Sequence, residues 1–159
     1  MSEHFSMEAR VGRDRQRYTA DEYREVVGTV PVDMATGKLL LISSRKHPGQ
    51  WVIPKGGWDD DETREDAAVR ETWEEAGVEG TLGPLILSHR KTSNKTGAKE
   101  KGTHVQIYEL YVSKVAQEWP ESGDRQRQWM RYEEALALIK GFVLEAVQQC
   151  SLSPGGGVE

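Results

Sequence analysis

The chain has 159 residues, 36% hydrophobic and 30% charged, with a formal net charge of −5. That length suits one domain with a sizeable core and is short for two. No apolar run reaches the roughly 18 residues of a membrane span, no signal-like apolar stretch opens the chain, and the single cysteine, Cys150, excludes an internal disulfide. A reducing, intracellular setting with no membrane partner is expected.

Met1 to Gly12 shows no periodicity, and residues 1–14 are expected to be flexible. Residues 25–33 (E-V-V-G-T-V-P-V-D) read as a β-branched strand, with Pro31 hinting at an edge or a bulge. The turn signal A-T-G-K and a second strand, Leu39 to Ser43, complete a hairpin. Trp51 to Ile53 form a short strand stopped by Pro54, and Gly56-Gly57 a tight, exposed turn. A helix is expected from about Thr63, as N-cap, to Ala76, with Gly77 as its C′ residue. A strand follows over Leu82 to His89, then a polar, basic loop over 90–102. Thr103 to Val115 alternates in polarity and is the clearest strand. Residues 117–128 read as a turn-rich connection, followed by helices over Tyr132 to Lys140 and Gly141 to Cys150. The domain is thus expected over 15–150, with a flexible tail over 151–159. Hairpins mixed irregularly with helices predict an α+β fold, an α/β/α sandwich on a mixed sheet.

The charge is unevenly spread. Residues 59–79 hold ten acids against two bases, a local charge of −8, and the remainder carries +3. Within that segment Glu71, Glu74 and Glu75 stand at i, i+3 and i+4, on one helix face. Like charges so close repel, and cations relieve the repulsion; hard carboxylate oxygens suit Mg²⁺, Mn²⁺ or Ca²⁺ better than zinc. A Ca²⁺-binding EF-hand loop starting at Asp59 fails on spacing, because Arg64 and Arg70 fall where glycine and the bidentate glutamate belong.

From Gly56 the sequence follows G-x5-E-x7-R-E-U-x-E-E-x-G-U, where U is a bulky aliphatic residue: Gly56, Glu62, Arg70-Glu71, Thr72, Glu74-Glu75, Gly77 and Val78. This resembles the Nudix hydrolase signature, with Thr72 its one departure. Threonine keeps the shape of valine, and its hydroxyl can return to the preceding turn's carbonyl. The resemblance implies the α/β/α Nudix sandwich, with the box forming strand, loop and helix, and hydrolysis of a phosphoanhydride with Mg²⁺ or Mn²⁺. It implies Glu71 and Glu75 as metal ligands, joined by the backbone carbonyl of Lys55, with Glu74 as general base or further ligand. Glu62 and Arg70 are expected to form an orienting ion pair.

Segments outside the box (W-V-I-P-K-G-G-W, E-W-P-E-S-G-D-R-Q-R-Q-W and the helix start Y-E-E-A-L) are similar to fungal-type diphosphoinositol polyphosphate phosphohydrolases. Members of that group also cleave diadenosine polyphosphates and inorganic polyphosphate. Lys55 stands where the family often has a third glycine. A densely phosphorylated small molecule calls for a ring of cations. The candidates are Arg17, Arg24, Ser44, Arg45, Lys46, Lys55, Gly56, Lys101, His104 and Arg125. Trp58 is a candidate for the pocket mouth. A monomer in the cytoplasm, and also the nucleus, is expected, with no nucleic acid as main partner given a pI of about 5.5. Two other readings stay open: a dinucleoside polyphosphate hydrolase, which needs an aromatic clamp, and a silent Nudix-like binding module, which the intact glutamates disfavour.

Overall fold

The computed structural model describes residues 6–94, 97 and 100–155. Parts of the expected flexible ends (1–5 and 156–159) and of the basic loop (95, 96, 98 and 99) lie outside those residues. The elements run β1 (Tyr23–Asp33), β2 (Lys38–Ser43), β3 (Trp51–Val52), β4 (Lys55–Gly57), α1 (Arg64–Ala76), β5 (Val78–Thr92), β6 (Gly102–Val115), β7 (Arg127–Arg131), α2 (Tyr132–Leu136) and α3 (Gly141–Gln148). The strands form one mixed sheet in the order β3-β2-β1-β6-β5, with β4 also on β1 and β7 on β2. Only β1 and β6 pair in parallel; the other pairs are antiparallel. The hairpin expected at the start is present, its turn held by Asp33, which accepts from the Ala35 N–H and the Thr36 hydroxyl.

The sheet is covered on both faces, as an α/β/α sandwich requires. On one face Val26, Val30, Leu39, Leu41, Val105 and Ile107 meet Ala135, Val143, Ala146 and Val147 of the C-terminal helices. On the other, Val27 and Tyr108 meet Ala67 and Ala68 of α1, and Leu40 and Ile42 meet Ala76 and Val78. The unbroken apolar run of β2 follows, because successive residues serve opposite cores.

Three expectations are revised. Pro31 lies in a central strand, not at an edge. On β1, Thr29 N–H donates to Pro54 and Trp58 N–H to the Glu25 carbonyl, so odd-numbered β1 residues face the β4 side. Pro31 faces that side between the end of β4 pairing and the start of β2 pairing, where no ladder bond needs its missing N–H. Lys55, Gly56 and Gly57 are a strand rather than a turn. Arg127–Arg131, left outside the predicted strands, is a strand that buries Met130 against β2.

Candidate active site

The helix α1 is built from local signals. Thr63 accepts from the Asp66 N–H at 3.0 Å, and Gly77, at φ 68°, closes the last turn onto the Trp73 carbonyl. Thr72 is fully buried; its hydroxyl donates to the Ala68 carbonyl at 2.7 Å and meets the Thr29 hydroxyl at 2.7 Å. Ala67 and Ala68 let the helix sit close to the sheet, which brings its glutamates to the edge of β4.

Gly56 is fixed by that approach. A Cβ on it would lie 2.2 Å from Cδ of Glu71, so no larger residue fits while Glu71 keeps its place. The register of β4 on β1 also directs its free edge. Gly57 turns its carbonyl away from β1 to accept from Nη2 of Arg70 at 3.0 Å, and Lys55 turns its N–H the same way to donate to Oε1 of Glu75 at 3.1 Å. The Lys55 carbonyl therefore points to the same edge, toward the glutamates of α1.

Arg70 organises the acids. Its guanidinium forks onto both oxygens of Glu62, with Nη2 at 2.9 Å, and Nη1 reaches Glu71 at 3.0 Å and Glu74 at 3.2 Å. Burial opposes the charge on Arg70, but its bonds to Glu62 and the charges of Glu71, Glu62 and Glu74 outweigh burial and hold its pKa above the ordinary arginine value. The expected Glu62–Arg70 ion pair is present.

Glu71, Glu74 and Glu75 are all buried. Burial pushes each carboxyl above the usual range; for Glu71 the charge of Glu75 adds to this, and Glu75 rises to about 7 despite the opposing charge of Arg125. Three carboxyls this costly to ionise are the donor chemistry that a divalent cation satisfies. Among the described residues, the acids whose ligand atoms converge within 4.8 Å are instead Asp59, Asp61 and Glu62. Arg10 spans Asp59 and Asp61 at 2.9 Å each, and its backbone N–H donates to Glu74 at 3.2 Å. The segment from Ser6 to Arg10 thus crosses α1, with the Ser6 carbonyl accepting from the Trp73 indole at 2.9 Å.

Beside β4 opens a cleft of about 570 Å³. Four of the expected substrate residues line it: Arg24, Lys46, Lys55 and Gly56. Arg13 and Lys91 join them, neither singled out in the sequence; Lys91 falls in the expected loop over 90–102, and β5 carries it to the cleft by running on to Thr92. Val26, Val105 and Phe142 give it an apolar wall, and the Lys55 ammonium sits 5.8 Å from the Phe142 ring centre. Burial lowers the pKa of Lys55, partly opposed by the charge of Glu75.

The other six do not line it. His104 alternates with Thr103 and Val105, so it points to the opposite face of β6, where Nδ1 meets Glu25 at 2.7 Å. Arg17 spends its guanidinium on the carbonyls of Asp59, Asp60 and Glu62, over the Trp58 ring at 4.7 Å. Trp58 itself donates to the Glu62 carbonyl, bracing the acidic loop. Arg125 is clamped by Glu121 at 2.6 Å and the Ser43 carbonyl at 2.8 Å, and Arg45 pairs with Glu121 at 3.3 Å. The Ser44 hydroxyl accepts from the His47 N–H, and Lys101 is exposed, its backbone N–H bonded to Glu22.

A sequence profile of the NUDIX domain matches residues 22–149. This chain belongs to the Nudix family. The fold agrees: a NUDIX hydrolase from Nitrosomonas europaea superposes with a TM-score of 0.66 at 16% identity, covering 80% of this chain and 87% of that one. Nudix hydrolase 21, chloroplastic, of Arabidopsis thaliana is 41% identical over 149 residues, 90% of this chain and 74% of that protein. Diphosphoinositol polyphosphate phosphohydrolase 2 of Mus musculus is 35% identical over 107 residues, 65% of this chain and 55% of that protein. The chain is therefore a Nudix hydrolase acting on phosphoanhydrides. Nudix hydrolases generally use divalent metals, and the buried acids of this chain are compatible with one; no helix among the described residues is long and apolar enough to cross a membrane.

Proposed function

We propose that this Nudix hydrolase removes the β-phosphate from diphosphoinositol polyphosphates, and also cleaves diadenosine polyphosphates and inorganic polyphosphate. The observation that carries this reading is the cleft in which Arg13, Arg24, Lys46, Lys55 and Lys91 converge beside β4, whose Lys55 N–H bonds Glu75 and whose Gly56 packs on Glu71. Five cations around one cavity match a ligand with several phosphates better than one with two. The mouse relative, named for diphosphoinositol polyphosphates, supports the same choice.

Glu71 and Glu75, with the Lys55 carbonyl, would hold Mg²⁺, or Mn²⁺ in its place. Bound there, the metal supplies charge neutralisation at the phosphate oxygens and a more acidic water. Glu74 acts as the base that accepts the proton of the attacking water; it borders a cavity of about 440 Å³ beside α1. Arg70 keeps Glu71 and Glu74 oriented, and Lys55, Arg24 and Lys46 bind the phosphates in the cleft that Gly56 also lines. The enzyme works as a monomer in this reading, in the cytoplasm and nucleus, although relatives include forms named chloroplastic and mitochondrial.

A second reading, dinucleoside polyphosphates as main substrate, gains from the apolar wall of Val26, Val105 and Phe142, since an aromatic ring in a cationic cleft offers a stacking surface for a base. Turnover of diphosphoinositol pentakisphosphate against diadenosine hexaphosphate decides between them. Faster turnover of the inositol compound is expected; cleavage of the nucleotide alone overturns the first reading.

A further inference from the structure

One acid lines the cationic cleft among the described residues, Glu100. Its carboxylate lies 3.3 Å from Nη1 of Arg13 and 3.4 Å from Nε of Arg24, and its side chain is 20% exposed. The Nε of Arg24 is buried, and among the described residues it meets no well-aligned hydrogen-bond acceptor, so Glu100 at 3.4 Å compensates its charge mainly as an ion pair. Burial, and then the neighbouring charge of Arg13, disfavour the Arg24 cation, while Glu100 supports it. Two guanidinium groups therefore converge on one anion position, and a carboxylate of this chain fills it.

Among the described residues Lys55, at the β4 end of the same cleft, has no such ion-pair partner; the acid whose charge acts on it is Glu75 on α1. The cleft thus has one end where cations meet the box and another where Arg13 and Arg24 are already occupied. A ligand whose phosphates stop at the box end avoids Glu100. One whose phosphates span the cleft must displace the carboxylate or bind against it.

We propose that Glu100 is a specificity-determining residue that competes with a substrate phosphate for Arg13 and Arg24, moderating the affinity for ligands whose phosphates reach across the cleft, the proposed substrate among them, and leaving compact ones unaffected. The inference rests on the cleft being the substrate site, as in the proposed function. Its physical basis is Coulombic: a unit charge a few ångströms from a phosphate in a partly solvated cleft changes affinity by roughly three- to tenfold.

Calorimetric titration of the full chain with inositol hexakisphosphate and with pyrophosphate tests it. Glu100→Gln is expected to bind the hexakisphosphate roughly three- to tenfold more tightly than the unmodified chain, with pyrophosphate changed by less than about twofold. Glu100→Asp, which keeps the charge, should retain the original affinities, and adding Arg13→Gln to Glu100→Gln should erase the gain. Thermal melts confirm that each variant is folded. Equal or weaker hexakisphosphate binding by Glu100→Gln, or an equal gain for both anions, overturns the inference while leaving the cleft assignment standing. Failure of the unmodified chain to bind the hexakisphosphate overturns both.

Discussion

The backbone N–H of Lys55 donates to Oε1 of Glu75 at 3.1 Å, so the short strand β4 is tied directly to the last glutamate of α1. The same residue aims its ammonium into the cationic cleft. Lys55 therefore joins the acidic and the cationic halves of the site through one peptide unit. Displacing β4 from α1 should disturb both at once, and Gly56 is where that displacement is easiest to impose.

Gly56→Ala places a methyl group 2.2 Å from the Glu71 carboxyl carbon. The helix or the strand must yield, costing about 1–3 kcal/mol of stability. Hydrolytic turnover should fall by at least about a hundredfold, since misplacing reacting groups by an ångström has that effect. Steady-state kinetics with a parallel thermal melt check it; activity within threefold of the unmodified chain contradicts the packing argument.

Glu75 also gives the protein a pH signature. Its folded pKa, about 7 through burial, exceeds the ordinary value of 4.5. Between those values the folded state binds more protons than the unfolded one, so stability falls as pH rises from about 4.5 to 7. The decline should amount to roughly 1–3 kcal/mol. Glu75→Gln should reduce it, Glu71 and Glu74 still contributing, and Mg²⁺ should offset it at pH 7 and above by binding the ionised carboxylates. Chemical denaturation from pH 5 to 8, with and without Mg²⁺, reads all three; stability rising with pH in the metal-free chain would falsify the burial argument.

The Thr29–Thr72 hydroxyl pair, fully buried, offers a test away from the chemistry. Thr72→Val strands the Thr29 hydroxyl and should cost about 1–2 kcal/mol, Thr29→Val leaves the Thr72 hydroxyl its bond to Ala68 and should cost less, and Thr29→Val with Thr72→Val should cost less than the two combined. Turnover should be unchanged in all three. A strictly additive double variant means the hydroxyls do not depend on one another.

The proposed substrate cleft predicts opposite outcomes for cations inside and outside it. Arg24→Gln and Lys46→Gln should each raise KM roughly three- to thirtyfold with kcat little changed. His104→Gln, on the opposite face of β6, should leave KM within about twofold. A large KM effect from His104→Gln contradicts the orientation of β6.

Local signals made α1 legible: its N-cap, its glycine stop and the return of the Thr72 hydroxyl to Ala68 each join residues three or four positions apart. Strands defined by distant partners were harder to read. Gly56-Gly57 has the composition of a turn and becomes a strand only because β1 pairs with it, and Arg127–Arg131 hides at the end of a turn-rich stretch until β2 draws in Met130. Sequence proximity to the box also did not predict which cations line the cleft. Arg17 and Arg125 are near the site yet spend their guanidinium groups on backbone carbonyls and neighbouring acids. Arg13 and Lys91 reach the cleft through the fold of the N-terminal segment and the length of β5, which no short pattern encodes.

Phosphate release from diphosphoinositol pentakisphosphate, measured for the unmodified chain and for Glu74→Gln with and without Mg²⁺, tests the central claim most directly. The unmodified chain should release phosphate only with the metal, and Glu74→Gln should lower kcat by at least about a hundredfold while remaining folded. Metal-independent release, no release at all, or full activity in Glu74→Gln would contradict it.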